Sequence, residues 1–417
     1  MNEITAIWSE WLRPSAGLPT VQWSILLGIA AIAGHVFHRY IGLPKVVGYS
    51  AVGPLAGLGG FTGAVWPLQG IGLFLLELGV SVVLFEAGGR IPLRWFRHNP
   101  MVLMQSLLES SLTLVAVYYV LRQLEVRVDV AQSLALVAMA ASPAVLSRIV
   151  IDTRASGPVI ERAMVLSTLS TLYALTLCTA RAGMMNRPHE EWADMAYPIL
   201  VVLGLSVVVG AILALALRIA LRVMSPTSEN TSMLFMALLA AGTALASHFG
   251  GSAPLAALLG GMLLKQLNPR PWAWPRQLGT AGSLLTMLMF VLVSVVAANA
   301  RWNLQIAQLV AALVVARFLA KVAGVCAANW GSGLTWRQAM YTGSAMSPMS
   351  SVALLLVSQF AASTPALPLI ARIALPAILL MEVLGAILAT FAVHRTGESS
   401  RSWGPDSSLT TPGELRG

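Results

Sequence analysis

From residue 22 to residue 393 the chain is a succession of apolar runs, separated by short breaks that carry arginine, proline or tryptophan. Each run approaches the length of a bilayer crossing, since about 20 helical residues span the hydrocarbon core. That environment offers no water to a backbone N–H or C=O, so each run must satisfy its own backbone by forming a helix. The runs lie near 22–41, 43–59, 68–88, 101–121, 130–151, 159–182, 195–217, 231–249, 252–267, 280–300, 304–328, 338–360 and 366–393. The second and ninth are short and rich in glycine. Composition agrees: 57% of residues are hydrophobic and 10% charged, against about 25% charged in soluble domains. The predicted class is an all-α polytopic membrane protein with about 13 transmembrane helices. Three segments follow: an N-terminal extracytoplasmic piece (1–21), a transmembrane domain (22–393) and a polar, disordered cytoplasmic tail (394–417).

Lysine and arginine set the orientation. With the N-terminus outside, the cytoplasmic loops and C-terminus carry seventeen of them, including Arg39, Lys45, Arg90, Arg148, Arg154, Arg218 and Lys265. The outer side carries six: Arg13, Arg122, Arg127, Arg181, Arg187 and Arg301. This is the positive-inside pattern, and a missed crossing would scramble it. The formal net charge of +9 is then read as basic loops against anionic lipid rather than as a nucleic-acid surface. No zinc-ligand spacing, Walker-type loop or HExxH is present. Cys178 and Cys326 lie inside apolar runs, which argues against a disulfide framework. Neither an enzyme nor a bound cofactor or metal is expected.

Two crossings are interrupted in the same way. VAMAASPAVL (137–146) and GSAMSPMSSV (343–352) place Pro143 and Pro348 in the middle of the fifth and twelfth runs, each after a serine. Proline removes a backbone donor and clashes with the preceding turn. The two runs are seven crossings apart, and an odd offset inverts direction. A pair of interrupted helices in opposite orientations points to an inverted-repeat transporter with its site at the midplane. The bland alternative is a pair of kinks that only shape packing.

The residues then resemble a known family. IGLPKVVGYSAVGPLAGL (41–58), LLELGVSVVLFEAG (75–88), ASPAVLSRIV (141–150), ERAMVLSTLSTLYAL (161–175), GGSAPLAALLGGMLL (250–264), VARFLAKVAG (315–324) and GSAMSPMSSVAL (343–354) are similar, in order and spacing, to segments of the bacterial cation:proton antiporters. These are the sodium/proton and potassium/proton exchangers. The resemblance implies crossed, broken helices and a homodimer in the bacterial inner membrane. It also implies a core domain that slides against a dimerisation domain to give alternating access.

In that family the helix after the first break carries Asn-Asp or Asp-Asp at the ion site. Here the matching positions are Ser170 and Thr171. Hydroxyls can coordinate a dehydrated cation, but they do not ionise near neutral pH. With Ser142, Ser347, Ser350 and Ser351 they form the candidate ion-binding set. Proton or charge carriers are sought among deep ionisable groups, because a charge at the bilayer centre costs about 2.5–3.5 kcal/mol and normally faces protein or a cavity. The candidates are Lys321, Arg317, Glu382 and Glu77. The resemblance gives Arg317 and Lys321 their role, and Glu382 is a possible partner for them. Glu109 is the remaining deep acid. Glu86, four residues before Arg90, reads as an ordinary helical ion pair.

The expected function is monovalent cation:proton antiport by alternating access. Two alternatives remain open: an anion or organic-acid carrier on the same fold, using Lys321 and Arg317, and a non-transporting, sensor-like relative.

Overall fold

The computed structural model describes residues 18–58, 71–91, 93, 96, 99–184, 192–225, 228–268, 276–298, 303–349, 351–363 and 367–400. The described chain is helical. The elements are α1 (Leu18–Val36, prolonged by a π-helical turn Phe37–Ile41), α2 (Lys45–Leu58), α3 (Ile71–Gly89), α4 (Pro100–Gln123), α5 (Val128–Met139), α6 (Pro143–Thr153), α7 (Pro158–Met184) and α8 (Trp192–Val223). They continue with α9 (Glu229–His248), α10 (Ala253–Leu267), α11 (Arg276–Ala298), α12 (Leu304–Ala327), α13 (Trp336–Ala345), α14 (Ser351–Ser363) and α15 (Leu367–Arg395). Joining α5 to α6 and α13 to α14 leaves one apolar segment for each of the 13 expected crossings. Eight of the described segments are long and apolar enough on their own to cross a membrane.

Apolarity fixes which residues cross, and helix propensity fixes how far each helix extends. Thus α8 runs for 32 residues, past the apolar window into Arg218 and Arg222. Chain reversals use residues that tolerate a left-handed backbone: Gly42 (φ 76°) ends the π-helical turn before Leu43-Pro44, and Arg154 (φ 49°) ends α6.

Burial separates the helices. In the α5–α6 segment 72% of the apolar window is buried, and in α7 and α15 67%, against 17% in α1 and 33% in α8. The exposed face of α8 is Leu200, Val207, Val208, Ile212, Leu215 and Ile219, a row suited to acyl chains. The broken helices therefore lie inside the bundle. On its other side α10 is wedged between α3 and α8 through Gly260 and Gly261. A methyl on Gly261 would strike the Phe85 carbonyl, and one on Gly260 would press on the Gly210 backbone. That close approach is why the short ninth run needs its glycines.

The ends of the chain carry two of the expected segments. Residues 1–17 and 401–417 lie outside the described residues. Helix α15 continues to Arg395, and residues 396–400 then pack on the α6–α7 turn. The Glu398 carboxylate accepts from the N–H groups of Val159 (2.8 Å) and Ile160 (2.9 Å). The Ser399 and Ser400 hydroxyls donate to the carbonyls of Thr153 and Arg154.

Candidate functional site

The first break spans Ala140, Ala141 and Ser142, between the end of α5 and the start of α6. A helix end leaves its last carbonyls without internal donors. Here four consecutive carbonyls each receive a side chain from another helix. Arg317 Nε donates to Ala138 O (2.9 Å) and Arg317 Nη2 to Ala140 O (2.8 Å). Lys321 Nζ donates to Met139 O (3.1 Å). Thr171 Oγ1 approaches Ala141 O (3.0 Å) and also Ser167 O of its own helix (2.7 Å). On the other side of the break Ser142 is the N-cap of α6: its hydroxyl accepts from Val145 N (3.3 Å), and Pro143 occupies the first turn, where no donor is needed. The Ser-Pro pair therefore closes one half-helix and opens the next.

The second break, residues 346–350, meets the first at the same guanidinium. Arg317 Nη1 donates to Ser347 O (2.5 Å) and Nη2 reaches Pro348 O (3.4 Å). A planar guanidinium with five donors can serve two peptide termini at once, and it favours the partial negative charge at both. Ser347 turns its hydroxyl to Ser344 O (2.6 Å). Pro348 packs on Gly385 of α15, where a methyl would meet the Pro348 Cα at 2.7 Å. Arg317, Lys321, Thr171, Ser142 and Ser347 are thus brought to one crossing, all buried.

The acid that meets Lys321 is Glu109 of α4. The pair is fully buried and directly hydrogen-bonded. The hydroxyls of Ser110 (3.2 Å) and Thr113 (3.3 Å) also donate to the Glu109 carboxylate. The pair needs α4 and α12 in close contact, and Gly324 allows this by placing its bare Cα against the Glu109 backbone. Sequence alone marks Glu109 as a deep acid and offers Glu382 as a possible partner for Lys321 and Arg317; the structure gives Lys321 to Glu109. The overlooked signal was Gly324, three residues after Lys321, which marks the face of α12 that a neighbouring helix approaches.

None of the remaining described candidates is hydrogen-bonded to Arg317, Lys321 or Glu109. Ser170 is buried and donates to Ser167 O within its own helix (3.2 Å). Ser351 is buried with no hydrogen-bond partner among the described residues, and Ser350 lies outside them. Glu77, on α3, accepts from Ser247 of α9 (3.4 Å). Glu382, on α15, is fully buried, and neither carboxylate oxygen has a hydrogen-bond partner among the described residues. Glu86 and Arg90 form the exposed pair expected of them (2.5 Å).

A cavity of about 440 Å³ approaches this region between α3, α6 and α7. Its lining climbs α7 from Ile160 through Met164 to Thr168, one turn short of Thr171, with Ala87 and Arg90 facing from the end of α3.

Comparison with known proteins agrees with this geometry. The family described as "Sodium/hydrogen exchanger, transmembrane" matches residues 25–397. Two solved structures of the sodium proton antiporter MjNhaP1 from Methanocaldococcus jannaschii are similar in fold. One, at pH 8, superposes with a TM-score of 0.67 at 14% identity over 91% of this chain and 98% of that one. The other, from electron microscopy, gives 0.71 at 14% identity over 93% and 100%. A search of curated protein sequences found no match. With two interrupted helices meeting at one buried arginine and the family matched along nearly the whole chain, this protein belongs to the sodium/hydrogen exchanger family.

Proposed function

We propose that the protein exchanges a monovalent cation for protons by alternating access, in a bacterial cell membrane, with its N-terminus outside and its C-terminus in the cytoplasm. The observation that carries this reading is the crossing itself: two half-helix ends, buried at mid-bundle, held by Arg317 and Lys321. Family membership supports the exchange chemistry, and the arginine and lysine count of the loops supports the orientation. The family resemblance is what supports a homodimer. The cavity below Thr171 is the cytoplasmic approach under this orientation.

The anion reading loses its main support. It needed Lys321 and Arg317 as free cationic hosts. Arg317 is committed to peptide carbonyls, and Lys321 to Glu109 and Met139 O. An anion would have to displace those contacts.

The test is proton movement in proteoliposomes with an imposed pH gradient, adding Na⁺, K⁺ and Li⁺ in turn and then anions. One or more monovalent cations should dissipate the gradient and anions should not. A gradient that responds to an anion and to no cation would overturn the reading.

A further inference from the structure

If α7 carries hydroxyls where the family keeps a carboxylate, exchange still needs an acidic group that can hold either ion. We propose that Glu382 is that group: a buried carboxylate on α15 that binds a proton or a monovalent cation in turn, with the Ser50 hydroxyl of α2 opposite it. This rests on the antiport reading above and names its titratable site.

Three observations converge on Glu382. Its side chain is fully buried, and both its oxygens lack a hydrogen-bond partner among the described residues. A polar group beside it is Ser50 of α2, whose hydroxyl is also buried and falls short of hydrogen-bond geometry to any described atom. Finally, Glu382 lies one turn from Gly385, which packs directly against Pro348 at the second break. Glu382 thus lies one helical turn along α15 from the residue that touches the interrupted backbone. Ser351, the first residue of α14 just past that break, is another buried hydroxyl with no partner among the described residues.

Charge accounting gives this arrangement its meaning. A bare carboxylate inside a bilayer must be neutralised by a proton or by a counter-ion. Among the described side chains, the charged groups on the helices packed against α15 have other partners; the side chain of Arg276, at the start of α11, lies outside them, and Arg372 of α15 itself is exposed ten residues from Glu382. On α12, Arg317 and Lys321 hold the break carbonyls and Glu109. Lys45 of α2 and Arg148 of α6 both reach Asp152, and Tyr49 of α2 takes Arg148. Arg337 of α13 lies over Tyr341, and Asp129 near the start of α5 takes Arg127. Among the described groups none is left to neutralise Glu382, and its counter-ion is taken to come from outside. A carboxylate with the Ser50 hydroxyl beside it is an oxygen donor set, the chemistry of a hard monovalent cation or a proton. The exchange balances simply. The carboxylic O–H bond breaks, the proton leaves to one side, and the carboxylate takes one cation; on the other side the cation leaves and a proton restores the acid.

The test uses the purified full-length protein in weakly buffered solution, with Na⁺, K⁺ or Li⁺ added as chloride and proton release read by a pH indicator. Wild type should release protons in proportion to cation bound. Glu382→Gln should lose that release by at least about tenfold, as expected when the buried ionisable group is removed. Glu382→Asp should retain part of it, and Ser50→Ala should require several-fold more cation. Glu382→Gln removes an unpartnered buried acid, so it should melt no lower than wild type, which separates loss of the site from loss of fold. Release by Glu382→Gln equal to wild type overturns the assignment and leaves antiport standing. Absence of release from wild type, together with no cation response in proteoliposomes, overturns both.

Discussion

At the scale of single residues, the polar centre of the protein is a set of obligations among buried groups. Glu109 and Lys321 neutralise each other, and removing one leaves the other charged and unsatisfied. Glu109→Gln or Lys321→Gln should therefore destabilise by about 3–5 kcal/mol, read as a fall in melting temperature in detergent. The double variant should recover part of that loss, since neither charge is then stranded. A double variant whose loss equals the sum of the two single losses would mean that the pair is not coupled. Arg317→Lys should fare little better than Arg317→Ala, because a single ammonium cannot reach both half-helix ends. Sequence alone picked out Arg317, Lys321 and the three deep acids, since a charge in an apolar run is visible by itself. It could not pair them. Helical periodicity gives the face a residue occupies, and nothing in it says which of the other helices covers that face. Glu109 and Lys321 are 212 residues apart in the chain.

At the scale of elements, the two Ser-Pro interruptions were legible because proline and serine break a helix for local reasons. Their different uses were not. At the first, Ser142 and Pro143 cap and start α6; at the second, Pro348 lies in the link between α13 and α14 and seats on Gly385. Pro143→Ala should be tolerated, because the α5 end remains held by Arg317, Lys321 and Thr171. Gly385→Leu should disrupt the second break and abolish transport while the bundle still assembles, as judged by gel filtration. Composition predicts a disordered tail over 394–417. Its first residues instead supply the N-terminal anchor of α7, through two N–H bonds to one carboxylate. An anion there suits the positive end of the helix dipole. Glu398→Ala should cost about 1 kcal/mol and speed amide exchange at residues 156–161. Unchanged exchange would mean that the tail does not hold that turn.

At the scale of the whole molecule, counting apolar runs was enough for an all-helical polytopic fold, eight of whose described segments are long and apolar enough to cross a membrane, and counting arginines and lysines was enough for a proposed orientation. Each depends on the bilayer as solvent rather than on any tertiary contact. That orientation has a direct check. Arg154→Cys, at the α6–α7 turn, should react with an impermeant maleimide only from the cytoplasmic side, and Arg127→Cys, before α5, only from outside, both in a background without Cys178 and Cys326. The reverse pattern would invert the molecule and put the cavity below Thr171 on the outer face. What no count could supply was the chemistry of the centre. The hydroxyls of Ser170 and Thr171 bind peptide carbonyls there and bring no charge, so the account rests on exchange surviving with its acidic group elsewhere. The most direct measurement starts with no pH gradient at all. Proteoliposomes loaded with Na⁺ or K⁺ are diluted into cation-free medium, and internal pH is followed. Coupled exchange predicts that outward cation flow draws protons in and acidifies the lumen, and that collapsing the cation gradient with an ionophore prevents it. Cation efflux with no change in internal pH under voltage clamp, or no efflux of either cation, would contradict the account.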